Sequence, residues 1–71
     1  DLNIYPNPAT EYVNIINLRH NIEKVVIFDL SGKQMLSDSK QRIHVSKLPS
    51  GVYLLSVKTN VGIKNFKFIK Q

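Results

Sequence analysis

Apolar and polar residues alternate along almost the whole chain, which is the two-residue period of half-buried strands and not the longer period of an amphipathic helix. Residues 2–6, "LNIYP", read as a short strand ended by Pro6. In residues 11–16, "EYVNII", Glu11, Val13 and Ile15 fall on one face and Tyr12, Asn14 and Ile16 on the other. A polar connection, "NLRHN", leads to the longest β-branched run, residues 22–30, "IEKVVIFDL". There Val26, Phe28 and Leu30 share one face and Val25 and Ile27 the other. A strand apolar on both faces is expected to be central and covered on both sides. Residues 33–37 and 41–46 give two short strands, and residues 51–59 and 62–70 a closing hairpin around "TNVG". The last strand puts Phe66 and Phe68 on one face, expected in the core, and Asn65 and Lys67 on the other.

Turn chemistry punctuates these runs. In "DLSGK", Asp29 accepts from backbone donors, Ser31 suits a turn, and Gly32 takes a positive φ at low cost. Pro49 and Gly51 mark the next break, "KLPSG". Short strands at intervals of about eight to twelve residues, with no helical segment, predict an all-β sandwich or small barrel. Near the start, "YPNPA" sets two prolines within three residues. Pro6 and Pro8 fix φ, remove two donors and bias the residues before them toward extended backbone. Such a stretch makes a stiff lead-in that lies along a sheet edge without continuing its ladder.

Seventy-one residues make one domain at most, and a chain of 8.1 kDa is expected to bury about 60% of its unfolded surface, a thin core. Without cysteine there is neither a disulfide nor a thiolate metal site. That argues for an intracellular fold, though less strongly against bacterial secretion. Ten Lys and Arg against five Asp and Glu give a net charge of +5, a balance that favours anionic partners such as nucleic acid, lipopolysaccharide or acidic membrane. The plainer account is lysines on solvated strand faces guarding sheet edges, and their spacing suffices for it. No apolar run reaches bilayer-spanning length, and no signal peptide is present. The chain opens on Asp1 and not on Met, so it reads as a piece cut from a longer protein, with any export signal upstream.

Enzyme chemistry is not expected. No serine sits in a nucleophile elbow, and His20 and His44 read as ordinary exposed side chains in a loop and a strand. Asp29 and Asp38 are isolated carboxylates, and the three glycines lie too far apart for a phosphate loop, so no metal or cofactor is expected. Nucleic acid fits the charge, but it needs aromatics displayed on an open face. Tyr5, Tyr12, Phe28, Tyr53, Phe66 and Phe68 mostly fall where a thin core requires them, so nucleic acid is not expected as a partner.

Four blocks in order, "YPNPATEYVNI", "IFDLSGK", "IHVSKLPSGVYLLSV" and "FKFIKQ", resemble the C-terminal sorting domain (type A) of type IX secretion system cargo proteins. The resemblance runs from Leu2 to Gln71. Tyr5, Pro6, Asn7, Pro8 and Ala9 stand where such domains begin. Asp29, Gly32 and Lys33 match the mid-domain turn, and Ser46, Leu48, Gly51 and Tyr53 match an "S-x-L-x-x-G-x-Y" segment. Lys67, Lys70 and Gln71 resemble the basic C-terminal motif. Glu11 stands where Asp is common, Phe28 where Tyr is common, and His44 where an acidic residue is frequent.

The resemblance implies a small Ig-like antiparallel β-sandwich of about seven short strands, a single sorting domain spanning residues 1–71 and excised from a larger cargo. It also implies export to the periplasm and passage of the cargo through the outer-membrane translocon. A sortase-like peptidase would then cleave upstream of the domain, at or near Asp1. The cargo would be released or joined to anionic lipopolysaccharide at the cell surface. Catalysis would belong to that peptidase. Recognition by an outer-membrane carrier is assigned to Lys64, Lys67, Phe68, Ile69, Lys70 and Gln71, with the lysines setting outward charge on the last strand. A strand edge left open by removal of the cargo would also allow a homodimer. The competing expectation is an Ig-like accessory adhesive or carbohydrate-binding module, since one sandwich hosts many functions.

Overall fold

A computed structural model describes residues 2–71; Asp1, beside which cleavage is expected, lies outside them. Seven strands follow in order: β1 (Asn3–Tyr5), β2 (Tyr12–Ile16), β3 (Ile22–Asp29), β4 (Gln34–Asp38), β5 (Arg42–His44), β6 (Gly51–Thr59) and β7 (Gly62–Lys70). They form a three-stranded sheet, β1-β2-β5, and a four-stranded sheet, β4-β3-β6-β7, with every named pairing antiparallel. The chain changes sheet after β2, β4 and β5, which is the Greek-key path of an Ig-like sandwich.

Strand alternation builds the core directly. Ile4, Val13, Ile15 and Ile43 come from the smaller sheet, Val45 from just beyond β5, and Val25, Ile27, Tyr53, Leu55, Val57 and Phe68 from the larger sheet, and all are buried. The side-chain period of two places each set on one face, and the two faces close on each other. Tyr53 also anchors the connection before β6. Its hydroxyl donates to the Pro49 carbonyl at 2.6 Å, the tyrosine corner of Ig-like sandwiches. Its ring stacks on Phe68 at 5.6 Å between centroids.

Two expectations about faces need correction. β3 is central in its sheet, paired to β4 and β6, but it is covered on one side only. Val25 and Ile27 face the core, Val26 and Phe28 are half-buried on the outer face, and Leu30 is 66% exposed. A two-layer sandwich covers each sheet once, so apolar side chains on the outside are shielded only by neighbours in their own sheet. The aromatics are likewise less uniformly internal than expected. Tyr53 and Phe68 are buried, Tyr12, Phe28 and Phe66 are half-buried, and Tyr5 is 63% exposed.

Candidate functional site

β7 is an edge strand, and its outer edge is the place where the stiff N-terminal segment lands. Antiparallel pairing directs the main-chain groups of Lys64, Phe66, Phe68 and Lys70 toward β6 and those of the odd-numbered residues outward. Residues 7–9 run along that outward side. Asn7 acts as a substitute peptide group: its Nδ2 donates to the Lys67 carbonyl at 3.2 Å, and its Oδ1 accepts from the Ile69 amide at 2.9 Å. Ala9, fully buried, continues the strap. Its amide donates to the Ile69 carbonyl and its carbonyl accepts from the Gln71 amide, both at 2.8 Å. The bridge between Ala9 and Lys70 is parallel. Pro6 and Pro8 flank Asn7 and lack an amide, so the lead-in lies along the edge as its prolines predict, but it does not leave the ladder unextended: Ala9 pairs with it through a single parallel bridge.

The other motif residues gather at the same end of the sandwich. The register Asp29↔Tyr53↔Phe68 sets the mid-domain turn, the start of β6 and the end of β7 in one row. One Asp29 carboxylate oxygen, Oδ1, accepts from the Ser31 amide at 2.9 Å, the Ser31 hydroxyl at 2.7 Å and the Lys33 amide at 2.9 Å. The Ser31 hydroxyl, followed by the Lys33 amide, holds this carboxyl below the usual carboxylate range. Gly32 closes the turn with φ of 89°. Gly51, which the sequence marks as a break after Pro49, is the first residue of β6, with φ of 157° beside Tyr53, a conformation that side chains disfavour. Between β5 and β6, Leu48 is buried and its amide donates to Val45, while Ser46 is exposed in the turn they close.

The residues assigned to recognition do not share one surface. Lys67 and Ile69 point outward, with Ile69 45% exposed, and Gln71 is exposed. Phe68 is fully buried, so it acts through packing. Lys70 is the clear correction: it is on the same face as Phe68 and only 8% exposed. Its aliphatic stem lies within the fold while Nζ donates to the Gln71 carbonyl at 2.9 Å, so it does not contribute the outward charge expected of it. Lys64 shares that inner parity but is exposed near the hairpin, where its ammonium stands 6.0 Å from the Phe66 ring. The end strand is not uniformly open either, because residues 7–9 close its C-terminal half.

Two features were invisible to strand patterning. On the outer face of the smaller sheet, the Arg42 guanidinium lies 4.4 Å over the Tyr12 ring, and its Nε donates to Asn14 Oδ1 at 3.1 Å. His44 meets the same ring edge-on at 6.5 Å. Only the register Tyr12↔His44 and Asn14↔Arg42 brings these residues together. The second feature is a cleft of about 400 Å³ between the sheets at the hairpin end of β7. Leu2, Leu18 and Val57 give it apolar walls, His20 lies among its lining, and Arg19 and Lys64 bring positive charge to it. Part of its charge had a signal in the sequence: no Asp or Glu occurs after Asp38, the stretch that holds Lys64.

Among the described residues no group of three or more His, Asp or Glu side chains is placed to hold a metal ion. What the site offers is an ordered main-chain edge, a packed aromatic end and surface charge, which is equipment for being bound. No curated protein matches the chain. The family model described as "Secretion system C-terminal sorting domain" matches residues 3–71, a span that takes in both the proline strap and the strand it holds. With strap, turn, corner and terminal strand all inside that match, the chain belongs to the family of type IX secretion C-terminal sorting domains.

Proposed function

We propose that this domain is the terminal label of a larger exported cargo, read at the outer membrane by a carrier of the type IX translocon and then removed. Family membership makes it a sorting signal for passage across the outer membrane. Our reading adds that a sortase-like peptidase cuts upstream of the domain, and that the cargo is released or joined to anionic lipopolysaccharide. The observation that carries it is convergence. Asp29, Gly51, Tyr53, Phe68 and the strap residues, far apart in sequence, meet at one end of the sandwich around the terminal strand. An accessory sugar-binding or adhesive module has no need to fix that particular end.

The carrier is proposed to read the exposed Lys67, Ile69 and Gln71, with Phe68 and Lys70 holding them in place from beneath. Positive charge speeds encounter with an acidic receptor surface. The test is export of a fluorescent protein bearing a periplasmic signal at its front and residues 1–71 at its end, with a translocon mutant alongside. Surface or extracellular fluorescence that disappears in the mutant is the expected result. Folded fusion held in the periplasm of both strains would overturn the reading and favour the accessory module.

A further inference from the structure

The strap covers only part of β7. Beyond Lys67 toward the hairpin, the outward amides of Ile63, Asn65 and Lys67 and the outward carbonyls of Ile63 and Asn65 face solvent, with no main-chain partner among the described residues. This is the longest edge of either sheet, since β1 and β5 have 3 residues each and β4 has 5, against 9 in β7. Unpaired edge groups of this kind are a template for an added strand.

The surroundings specify what such a strand must look like. A chain paired to residues 63–67 extends the four-stranded sheet by one strand, so its alternate side chains enter the cleft between the layers. Leu2, Leu18 and Val57 line that cleft, and they fit apolar side chains. Ile63, 64% exposed, and Val61, 66% exposed, prolong the apolar surface at its mouth. The intervening side chains of the added strand face the other way, the side of outward-pointing Ile63 and Lys67; Lys58, opposite Ile63, and Lys24, opposite Lys58, lie on that face at its hairpin end. Arg19 and Lys64 at the cleft add to the positive potential along this edge. The only ion pair among the described residues is Lys58 with Glu23 at 3.9 Å, so neither Lys64 nor Lys67 is held in one.

We propose that residues 63–67 form a strand-addition site for an extended segment of a partner protein in which apolar residues alternate with Asp or Glu. The inference rests on the sorting reading for its setting, because the partner is then a component of the export machinery. Pairing with a second copy of this chain is disfavoured by charge: it would bring Lys64 and Lys67 of both copies together at one edge.

The first test is amide hydrogen exchange on the 71-residue chain with a blocked eight-residue peptide alternating valine and glutamate. Exchange at Ile63, Asn65 and Lys67 should slow by roughly tenfold or more. The matching valine–lysine peptide and a fully N-methylated valine–glutamate peptide should leave it unchanged. Asn65→Pro removes one outward donor without touching the β6 ladder and should abolish the slowing. If that variant fails to fold, the N-methylated peptide gives the same answer on unaltered protein. Unchanged exchange at millimolar peptide, equal protection by the lysine peptide, or protection at β4 or β5 instead overturns the proposal. Protection of these amides without peptide, with a doubled mass, overturns it in favour of a self-paired dimer.

The second test carries Asn65→Pro into the fluorescent export fusion. Loss of export at an unchanged melting temperature supports strand addition. Export at the parent level overturns it and leaves the sorting reading intact. A parent fusion that is itself never exported counts against the sorting reading alone, because the peptide measurement stands without it.

Discussion

The two halves of β7 share one strand and similar residues, yet they are built for different ends. From Lys67 to Gln71 the outer edge is strapped by Asn7 and Ala9, the inner face is filled by Phe68, and even Lys70 is drawn inward. From Ile63 to Lys67 the edge is bare, the inner face opens on a cleft, and apolar side chains remain exposed. An edge strand is a liability for aggregation, and covering it is one remedy while lysine is another. This domain applies the first remedy to one half and the second to the other. The strapped half fixes the structure; the bare half is left available.

The contrast can be broken most severely at its packed end. Phe68→Ala removes a fully buried ring that stacks on Tyr53, and it should cost about 3–5 kcal/mol, enough to unfold much of a domain this small. Thermal melts followed by circular dichroism check it, and export should fall with folding. Gly51→Ala forces a side chain onto a φ of 157° and should cost about 1–3 kcal/mol in the same assay. Its Cβ meets only Tyr53 at 4.0 Å, so the cost is one of backbone conformation and not of space.

Asn7→Ala unfastens the strap more gently. Losing both carboxamide bonds should cost about 1–2 kcal/mol and raise exchange at Ile69 while leaving Phe68 protected by β6. Lys67→Glu should change stability by no more than about 0.5 kcal/mol, since the side chain is exposed, yet lower export of the fusion. Export at the parent level would remove Lys67 from recognition.

The smallest effect belongs to the Asp29 turn, a control remote from the bare edge. Its carboxyl is held below the usual range by Ser31 and Lys33, so it stabilises the fold fully above the unfolded carboxylate pKa. That contribution is lost as pH falls through the lower folded value. Asp29→Ala should therefore melt slightly below the parent at neutral pH, and the gap should close in acid. A gap that persists at low pH would assign it to packing.

Much of this was legible in the chain. Val13 with Ile15 and Ile43 with Val45 declared their faces by alternation, and "DLSGK" and "TNVG" declared their turns. The prolines announced a segment that lies along an edge. Alternation does not say which face a second layer covers, so the outer side of β3 was misread as buried. Lys70 was misread because its charge suggests solvent, whereas its long stem lets the chain bury it and keep the ammonium hydrogen-bonded. The pairing of Asn7 with Lys67 and Ile69, sixty or more residues away, depends on the closed sandwich and leaves no local signal. The Tyr12–Arg42–His44 cluster depends on cross-strand register in the same way.

The division of β7 is tested most directly by amide hydrogen exchange on the free domain, read residue by residue from Ile63 to Gln71. The amides of Ile69 and Gln71, held by Asn7 and Ala9, should exchange slowly, alongside the β6-paired amides of Phe68 and Lys70. Those of Ile63, Asn65 and Lys67 should exchange fast. If Ile69 exchanges as fast as Asn65, the strap does not hold in solution, and the whole of β7 is an open edge.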